Sequence, residues 1–338
     1  MRPAIGLDET VFRDNALVWR QHTGLPIRAV IKANAYNWSY KAAVRALTGV
    51  VDTFCVSDSD EFFELRKCTS ARIVIFSSVP IEQLEQVLAA DGVPTVEDPS
   101  SLARCIQMSR RNPKPLRIRL GVRQAVGWNG SSISQLRAFA CELAGSAVEV
   151  ELWSHLTDQT AFKEQSGAFT QAREILQEAG VAIVATDVAS TLPAALGSRL
   201  GTSVRVGIGL FGATFGQHVP GIRCAIYVKA PIVYCTPSQS KMRVGYGGVL
   251  GPNSGYLVVA RCGYSDGLPK TLAGTSDILS VGMQYVTLHS EEFKKEGDMV
   301  LLDHTANLDM FSAQANQSAH EIVTAFGNAR TFPETVNE

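Results

Sequence analysis

Residues 27–47 read IRAVIKANAYNWSYKAAVRAL. A short apolar run ends on Lys32, a turn of small residues with one tyrosine follows, and a helical pattern begins after it. This strand, turn and helix is the first of a series. Further β-rich runs are TFCVS from 53, RIVIFS from 72, VPTVE from 93, LRIRLG from 116, VEVELWS from 148, AIVAT from 182 and SVRVGIGL from 203. Most intervening segments, such as SDEFFELRKC, SISQLRAFACELAG and TAFKEQSGAFTQAREILQEAG, carry apolar residues at helical spacing and are long enough to cross over a parallel sheet. Eight strand-then-helix units within about 220 residues predict an α/β fold of the (β/α)8, TIM-like type, because an open doubly wound sheet more commonly has six strands.

Beyond residue 222 the texture changes. CAIYVKAPIVYC, KMRVGYGGVL, GYLVVARCGYSDG and ILSVGMQYVTLHS are short strands separated by Gly, Pro, Asn and Ser, with no helical pattern between them. That is the signature of an antiparallel β-domain. The expected division is a barrel over 1–222 and a C-terminal β-domain over 223–338.

Composition narrows the partners. Lysine and arginine number 31 against 32 acidic residues, so there is no basic balance for nucleic acid and no acidic tail. A small molecule fits better. Seven scattered cysteines without a CxxC pair suggest neither a disulfide framework nor a metal site, and a reducing cytoplasm is the natural setting. MRPAIGLDETVFRDN lacks the apolar core of a signal peptide, and no apolar run reaches the ~18 residues that a membrane span needs.

Barrel enzymes place their chemistry at the C-terminal ends of the strands, and Lys32 closes the first one. There, partial desolvation favours the neutral amine that Schiff-base chemistry needs, although a solvated lysine capping a strand is the commoner case. The neighbouring residues decide between them. AVIKANAYNWS resembles the cofactor-lysine motif of the alanine racemase family, A-V-V-K-A-N-A-Y-G-H-G, with Asn37 and Trp38 where Gly-His is usual. IGLDETVFRDN resembles that family's opening strand and helix, VSDSDEFFELRK its second barrel unit, SVRVGIGLFG its R-x-G-I-x-x-Y-G segment, VGYGG the start of its β-domain and GYSDGLPK its G-Y-A-D-G-L-P-R. Several motifs in order over about 300 residues form a specific signal where one alone is weak.

The resemblance implies pyridoxal 5′-phosphate held covalently by Lys32, an amino-acid or amine substrate, and a homodimer with shared active sites. Racemisation needs a base on each face of the α-carbon. By resemblance Lys32 serves one face and Tyr264, contributed by the partner's β-domain, serves the other. A phenol, with an ordinary pKa near ~10, needs a cationic or hydrogen-bonded neighbour to act as a base, and His155 in LWSHLTD matches the family's histidine. Arg205 corresponds to the arginine that faces the pyridine nitrogen. Backbone N–H groups near Gly207 and Ile208 and the Tyr36 hydroxyl are the implied phosphate ligands.

The departures fall around the substrate and the phosphate. Where the family has K-x-D-T-G-M-x-R this chain reads RLGVRQAVG, so Arg119 replaces a carbamylated lysine and Val126 falls where the carboxylate-binding arginine is expected, with Arg123 as the candidate replacement. VGMQYVTLHS offers Val286 and Thr287 in place of a C-M-D segment. ATDVAS puts Asp187 where a phosphate-binding serine is expected, a repulsive arrangement unless the carboxylate is protonated or turned away, with Thr186 and Ser190 as alternative hydroxyls. His320 replaces a late tyrosine as phosphate donor. Retained cofactor residues and a rebuilt pocket imply a racemase whose substrate is other than standard free alanine. Another pyridoxal-phosphate reaction at the α-carbon (decarboxylation, aldol cleavage or transamination) and a non-catalytic cofactor-binding protein are the alternatives.

Overall fold

A computed structural model of the chain describes residues 2–123, 130–156, 162–198, 200–239, 242–245, 249–302 and 306–329. Of the segments singled out above, Val126 and the Tyr246-Gly247-Gly248 part of VGYGG lie outside these residues.

After β1 (Ala4–Leu7), eight parallel strands form the first sheet: β2 (Ile27–Val30), β3 (Thr53–Val56), β4 (Arg72–Ser78), β5 (Gly92–Thr95), β6 (Leu116–Gly121), β7 (Val148–Trp153), β8 (Ala182–Asp187) and β9 (Val204–Val206). Each neighbours the next from β2 to β8, and β9 pairs with β2. A parallel bridge from Asp187 to Ser203, with the Thr202 N–H donating to the Thr186 carbonyl at 2.8 Å, joins β8 to β9 and closes the ring. These are the eight runs read from the sequence. The last is shorter than SVRVGIGL suggests: the strand stops at Val206 and Ile208–Phe211 turns into a 3-10 helix. Side chains explain the break, since Asn15 Nδ2 and Trp19 Nε1, both on the helix Glu9–Thr23, take the Leu210 and Gly209 carbonyls at 2.9 and 3.0 Å.

The crossover helices start where capping chemistry places them. Asp8 accepts from the N–H groups of Thr10 and Val11, and Asp98, followed by Pro99, caps Pro99–Ser109. Ser132 and Gln135 form a capping box at Ile133–Leu143. Alternation along the strands then sorts the side chains. Ile27, Ala29, Phe54, Ile73, Ile118, Leu152 and Val204 belong to the main core between sheet and helices. Val30, Cys55, Val74 and Val93 form a separate small cluster with Phe76 inside the barrel.

The second sheet is antiparallel, in the order β1, β10 (Ile226–Pro237), β13 (Tyr256–Ala260), β15 (Val286–Ser290), β14 (Ile278–Val281), with β16 (Gly297–Leu302) also on β10; β11 (Arg243–Val244) and β12 (Val249–Leu250) make a separate hairpin. Because β1 pairs with β10 from Ala4–Lys229 to Leu7–Ile226, the start of the chain is built into the sheet that follows the barrel. Two helices not anticipated from the sequence, Leu308–Ala315 and Ala319–Ala329, come after the last strand. Ala319–Ala329 returns to the barrel mouth and packs on the turn after Lys32. No helix of the described residues is long and apolar enough to cross a membrane.

Candidate active site

The turn after Lys32 is left-handed. Ala33, Asn34, Ala35, Tyr36 and Asn37 have φ of 52, 51, 56, 54 and 68°, in a region that costs an L-residue roughly 1–2 kcal/mol each. The surroundings over-determine it. Glu61 accepts from the Ala33 N–H at 2.6 Å and the Ser57 N–H at 2.8 Å, which ties the turn to the end of β3. Asn34 Oδ1 takes the Tyr40 N–H at 2.9 Å. Trp38 Nε1 and Asn37 Nδ2 donate to Val323 and Thr324 carbonyls at 3.0 and 3.3 Å, so the two residues that depart from the family's Gly-His dock the turn onto the returning helix. Gly327 permits that approach, because a Cβ there would lie 2.5 Å from the Tyr36 carbonyl oxygen.

Lys32 opens onto a cavity of about 600 Å³ at the C-terminal ends of the barrel strands. His155, Arg205, Ser190, Gly207, Ile208 and His320 line it with Lys32. Lys32 is exposed in the single chain, so the desolvation expected for it is not supplied by the barrel alone. Burial, reinforced by the Arg205 and Lys32 charges, pushes the His155 imidazole down to about 4; at neutral pH it is an uncharged hydrogen-bonding neighbour and not a cation. Burial first and Lys32 second also push His320 down, which disfavours the charge expected of it. Sequence reading did not single out Phe76, Leu192 and Phe215, which add apolar wall.

Tyr36 stands behind Gly207, its ring 5.2 Å from Phe211 and 6.0 Å from His320. A Cβ on Gly207 would lie 2.4 Å from Tyr36 Oη, so the wall is reduced to backbone where the phenol reaches it. Burial pushes the phenol up, which keeps it a donor, and the hydroxyl bonds no described residue. An orphan donor beside a glycine-lined wall, with a lysine and an arginine on the same cavity, fits pyridoxal phosphate.

Three of the site candidates, Thr186, Arg123 and Val286, do not reach the cavity, and Asp187 is turned away from it. Asp187 does not line the cavity: it is 1% exposed and turned into the barrel, and Ser190 is the serine on the cavity wall. Thr186 does not line the cavity; its backbone closes the barrel onto Thr202. Arg123 also stays off the cavity, its Nε donating to the Gly130 carbonyl at 2.9 Å. Val286 is wholly buried at the start of β15, opposite Ala260 and Val281, and offers no surface to a substrate. Thr287, half-buried on the same strand, and Tyr264, 40% exposed with Lys270 Nζ 5.2 Å from its ring centre, are both outside the Lys32 cavity of their own chain.

Under the cavity lies a cluster of buried charges from five adjacent strands. Asp187 meets Arg205 Nη1 at 3.0 Å, Arg119 Nη2 at 2.7 Å and Arg28 Nη1 at 3.0 Å, and Arg28 also pairs with Glu151 at 2.5 Å. The three guanidinium groups hold the Asp187 carboxyl below its ordinary range despite its complete burial. Such groups are retained only when paired, and removing one partner of a buried pair typically costs about 3–5 kcal/mol.

Comparison with known proteins places the chain. Residues 7–215 match the family profile described as alanine racemase, N-terminal domain. The alanine racemase of Thermobifida fusca is 26% identical over 349 aligned positions, covering 92% of this chain and 92% of the relative; that of Stutzerimonas stutzeri is 27% identical over 300, covering 82% and 81%. Among solved structures, alanine racemase from Streptomyces lavendulae superposes with a TM-score of 0.83 at 20% identity, over 98% of this chain and 96% of the other. The Bartonella henselae alanine racemase, solved with covalently bound pyridoxal phosphate, gives 0.80 at 19% identity over 98% of each chain. The fold and the site define a (β/α)8 barrel with a lysine at its mouth and an antiparallel β-domain. The chain belongs to the alanine racemase family, and by class it is a pyridoxal phosphate-dependent isomerase.

Proposed function

We propose that the chain is an amino-acid racemase that exchanges the α-proton between two bases and acts on a substrate other than standard free alanine. The observation that carries this reading is the convergence of Lys32, His155, Arg205, Ser190, Gly207 and His320 on one cavity at the end of the barrel strands. Pyridoxal phosphate bound there supplies an electron sink for the substrate α-carbon. The residues do the rest. Lys32 anchors the cofactor and moves a proton on one face of the α-carbon. Tyr36, Ser190, His320 and the backbone at Gly207 and Ile208 hold the phosphate. Arg205 faces the pyridine nitrogen as a permanent cation.

The second base is Tyr264 of the partner subunit, in a homodimer. Its support is negative and positive together: Tyr264 is off the cavity of its own chain, yet it stands exposed at the tip of the β-domain with Met283 and Tyr285, 57 and 47% exposed, beside it. His155, held uncharged, orients that phenol by hydrogen bonding. A second reading, a different reaction at the α-carbon, draws on one observation: Arg123 is bonded at Nε to Gly130 and is off the cavity, so it does not present itself to a substrate carboxylate.

The test is a panel of single-enantiomer amino acids incubated with the holoenzyme in deuterated water. Deuterium at the α-carbon with loss of optical activity is the expected result. Release of CO2 or of an aldehyde as the main product overturns racemisation and selects the second reading. A protein with no absorption near ~420 nm, unaltered by Lys32→Ala, overturns the cofactor assignment itself.

A further inference from the structure

Arg205 is committed on three sides. Nη1 meets Asp187 Oδ1 at 3.0 Å, Nη2 donates to the Ser154 and Val188 carbonyls at 2.6 and 3.3 Å, and the rings of Trp153 and Phe76 stand 5.6 and 5.8 Å from its Cζ. What remains of it lines the cavity. Asp187 is the only carboxylate paired with Arg205 among the described residues, and Arg205 does not hold it alone. Arg119 Nη2 lies 2.9 and 2.7 Å from its two oxygens, and Arg28 Nη1 lies 3.0 Å from Oδ2. Arg119 is wholly buried, and its Nε and Nη1 have no hydrogen-bond partner among the described residues. Among the described residues, every side-chain hydrogen bond it makes goes to Asp187.

We infer that Asp187 is a positioning residue that fixes Arg205 at the cavity wall and cancels part of its charge there, while Arg119 sets the extent of that cancellation by sharing the same carboxylate. This rests on the pyridoxal-phosphate reading, since the group that feels Arg205 is the cofactor's pyridine nitrogen. The ring nitrogen then faces a weaker cation than an unpaired arginine presents.

Charge counting gives the sign. Arg28, Arg119 and Arg205 oppose Asp187 and Glu151, an excess of one positive charge; including the neighbouring Arg117 and Glu149 pair leaves that excess unchanged. Arg119→Met removes the excess and leaves Asp187 to Arg205 and Arg28. The double substitution Arg119→Met/Asp187→Asn restores the wild-type buried charge but strips Arg205 of its partner. Asp187 touches Arg205 and acts on His155 at the cavity, where Arg119 does not, so its charge weighs more there: Arg119→Met makes the potential at the cavity more negative and the double variant makes it more positive, neither adding to the net buried charge.

The measurement is the pH titration of the ~420 nm band of the cofactor bound to Lys32 in the holoenzyme, above neutrality. The protonated linkage is cationic, so positive potential lowers its midpoint and negative potential raises it. Of the other groups on or next to the cavity, His155 and His320 are pushed low by burial and are already neutral in this window, the Tyr36 phenol behind Gly207 and the Cys55 thiol beside the buried charges are pushed up by burial, and Arg205, with Arg28 and Glu151 behind it, keeps its charge. Arg119→Met is expected to raise the midpoint and the double variant to lower it, each by on the order of one pH unit or less. Unchanged midpoints, or shifts of the same sign, in a protein that still shows the band overturn this inference alone. Absence of the band from the wild-type protein overturns it together with the cofactor reading.

Discussion

Substituting Gly207 by alanine tests whether Tyr36 and the glycine wall form one device. The new Cβ would stand 2.4 Å from Tyr36 Oη, and ordinary contact begins near 3.4 Å, so the hydroxyl must retreat by about 1 Å. It has little room to do so, because Tyr36 is 5% exposed and its ring is boxed by Phe211 and His320. Overpacking of this kind costs about 1–3 kcal/mol, which lowers Tm by a few degrees in a chain of this size. On the proposed reading that Tyr36 holds the phosphate, moving the hydroxyl also removes a donor from it, and one hydrogen bond to a charged group is worth about 1.5–3 kcal/mol, or roughly ten- to hundredfold in cofactor affinity. Thermal unfolding of the apoprotein and fluorescence titration with pyridoxal phosphate measure the two effects separately. In a Tyr36→Phe background the nearest atoms become Val30 Cβ at 3.2 Å and the ring Cζ at 3.4 Å, and the stability penalty is expected to fall below about 1 kcal/mol. A Gly207→Ala protein as stable as wild type, or one equally destabilised with and without the Tyr36 hydroxyl, refutes the geometry.

Three further outcomes follow from the site. His155 is pushed down from 6.5 to about 4, so the unfolded chain binds a proton that the folded one refuses between those values; stability therefore falls as pH drops through that window, by up to about 3 kcal/mol, and His155→Asn should flatten the dependence in urea unfolding read from pH 4 to 7. Glu61→Gln, which weakens two backbone hydrogen bonds that hold the left-handed turn, should cost about 1–2 kcal/mol in chemical denaturation and loosen the cofactor at Lys32, whereas a loss of stability with unchanged cofactor affinity would uncouple turn from site. Gly327→Ala drives a Cβ to 2.5 Å from the Tyr36 carbonyl, a backbone atom that cannot swing aside, and should destabilise by about 1–3 kcal/mol; hydrogen exchange should report the loss at Ala33–Trp38 before the rest of the barrel.

The barrel was legible in the chain because each strand presents one face to a dry core, and eight β-rich runs with helical crossovers leave few alternatives. The end of the last strand was not legible, because Asn15 and Trp19 intercept carbonyls nearly 200 residues away, a long-range event that local pattern does not encode. The returning helix Ala319–Ala329 was missed although SAHEIVTAF carries apolar residues at helical spacing, since the β texture before it set the expectation. Of the site candidates, Lys32, His155, Ser190, Arg205, Gly207, Ile208 and His320 line one cavity, because each sits at or just beyond a strand end or on that helix. Of the two hydroxyls offered in place of the displaced serine, Thr186 is excluded by strand phase: the inward position on β8 belongs to Asp187, which is turned away as a carboxylate near a phosphate would have to be, and Ser190 reaches the cavity three residues later, beyond the strand.

Arg119 and Asp187 looked like two separate losses, a lysine that can no longer be carbamylated and a carboxylate set against a phosphate. In the fold they are partners, 2.7 Å apart and both sealed from water. Arg119 is not tolerable without Asp187: an unpaired guanidinium at that depth would cost several kcal/mol, and its Nε and Nη1 have no hydrogen-bond partner among the described residues, whereas Asp187 also has Arg28 and Arg205. The strand sequences carry the trace of it. LRIRLG and VEVELW place Arg117, Arg119, Glu149 and Glu151 at alternate positions on adjacent strands, the spacing that turns charge into the barrel, and Arg28 and Arg205 continue the row on β2 and β9. Opposite charges at inward phase on neighbouring strands are a pattern that a residue-by-residue match to a family motif passes over. The exchange therefore has its own logic: a charge introduced at the barrel interior requires its complement on an adjacent strand, and the complement here is bonded to the arginine that lines the cavity.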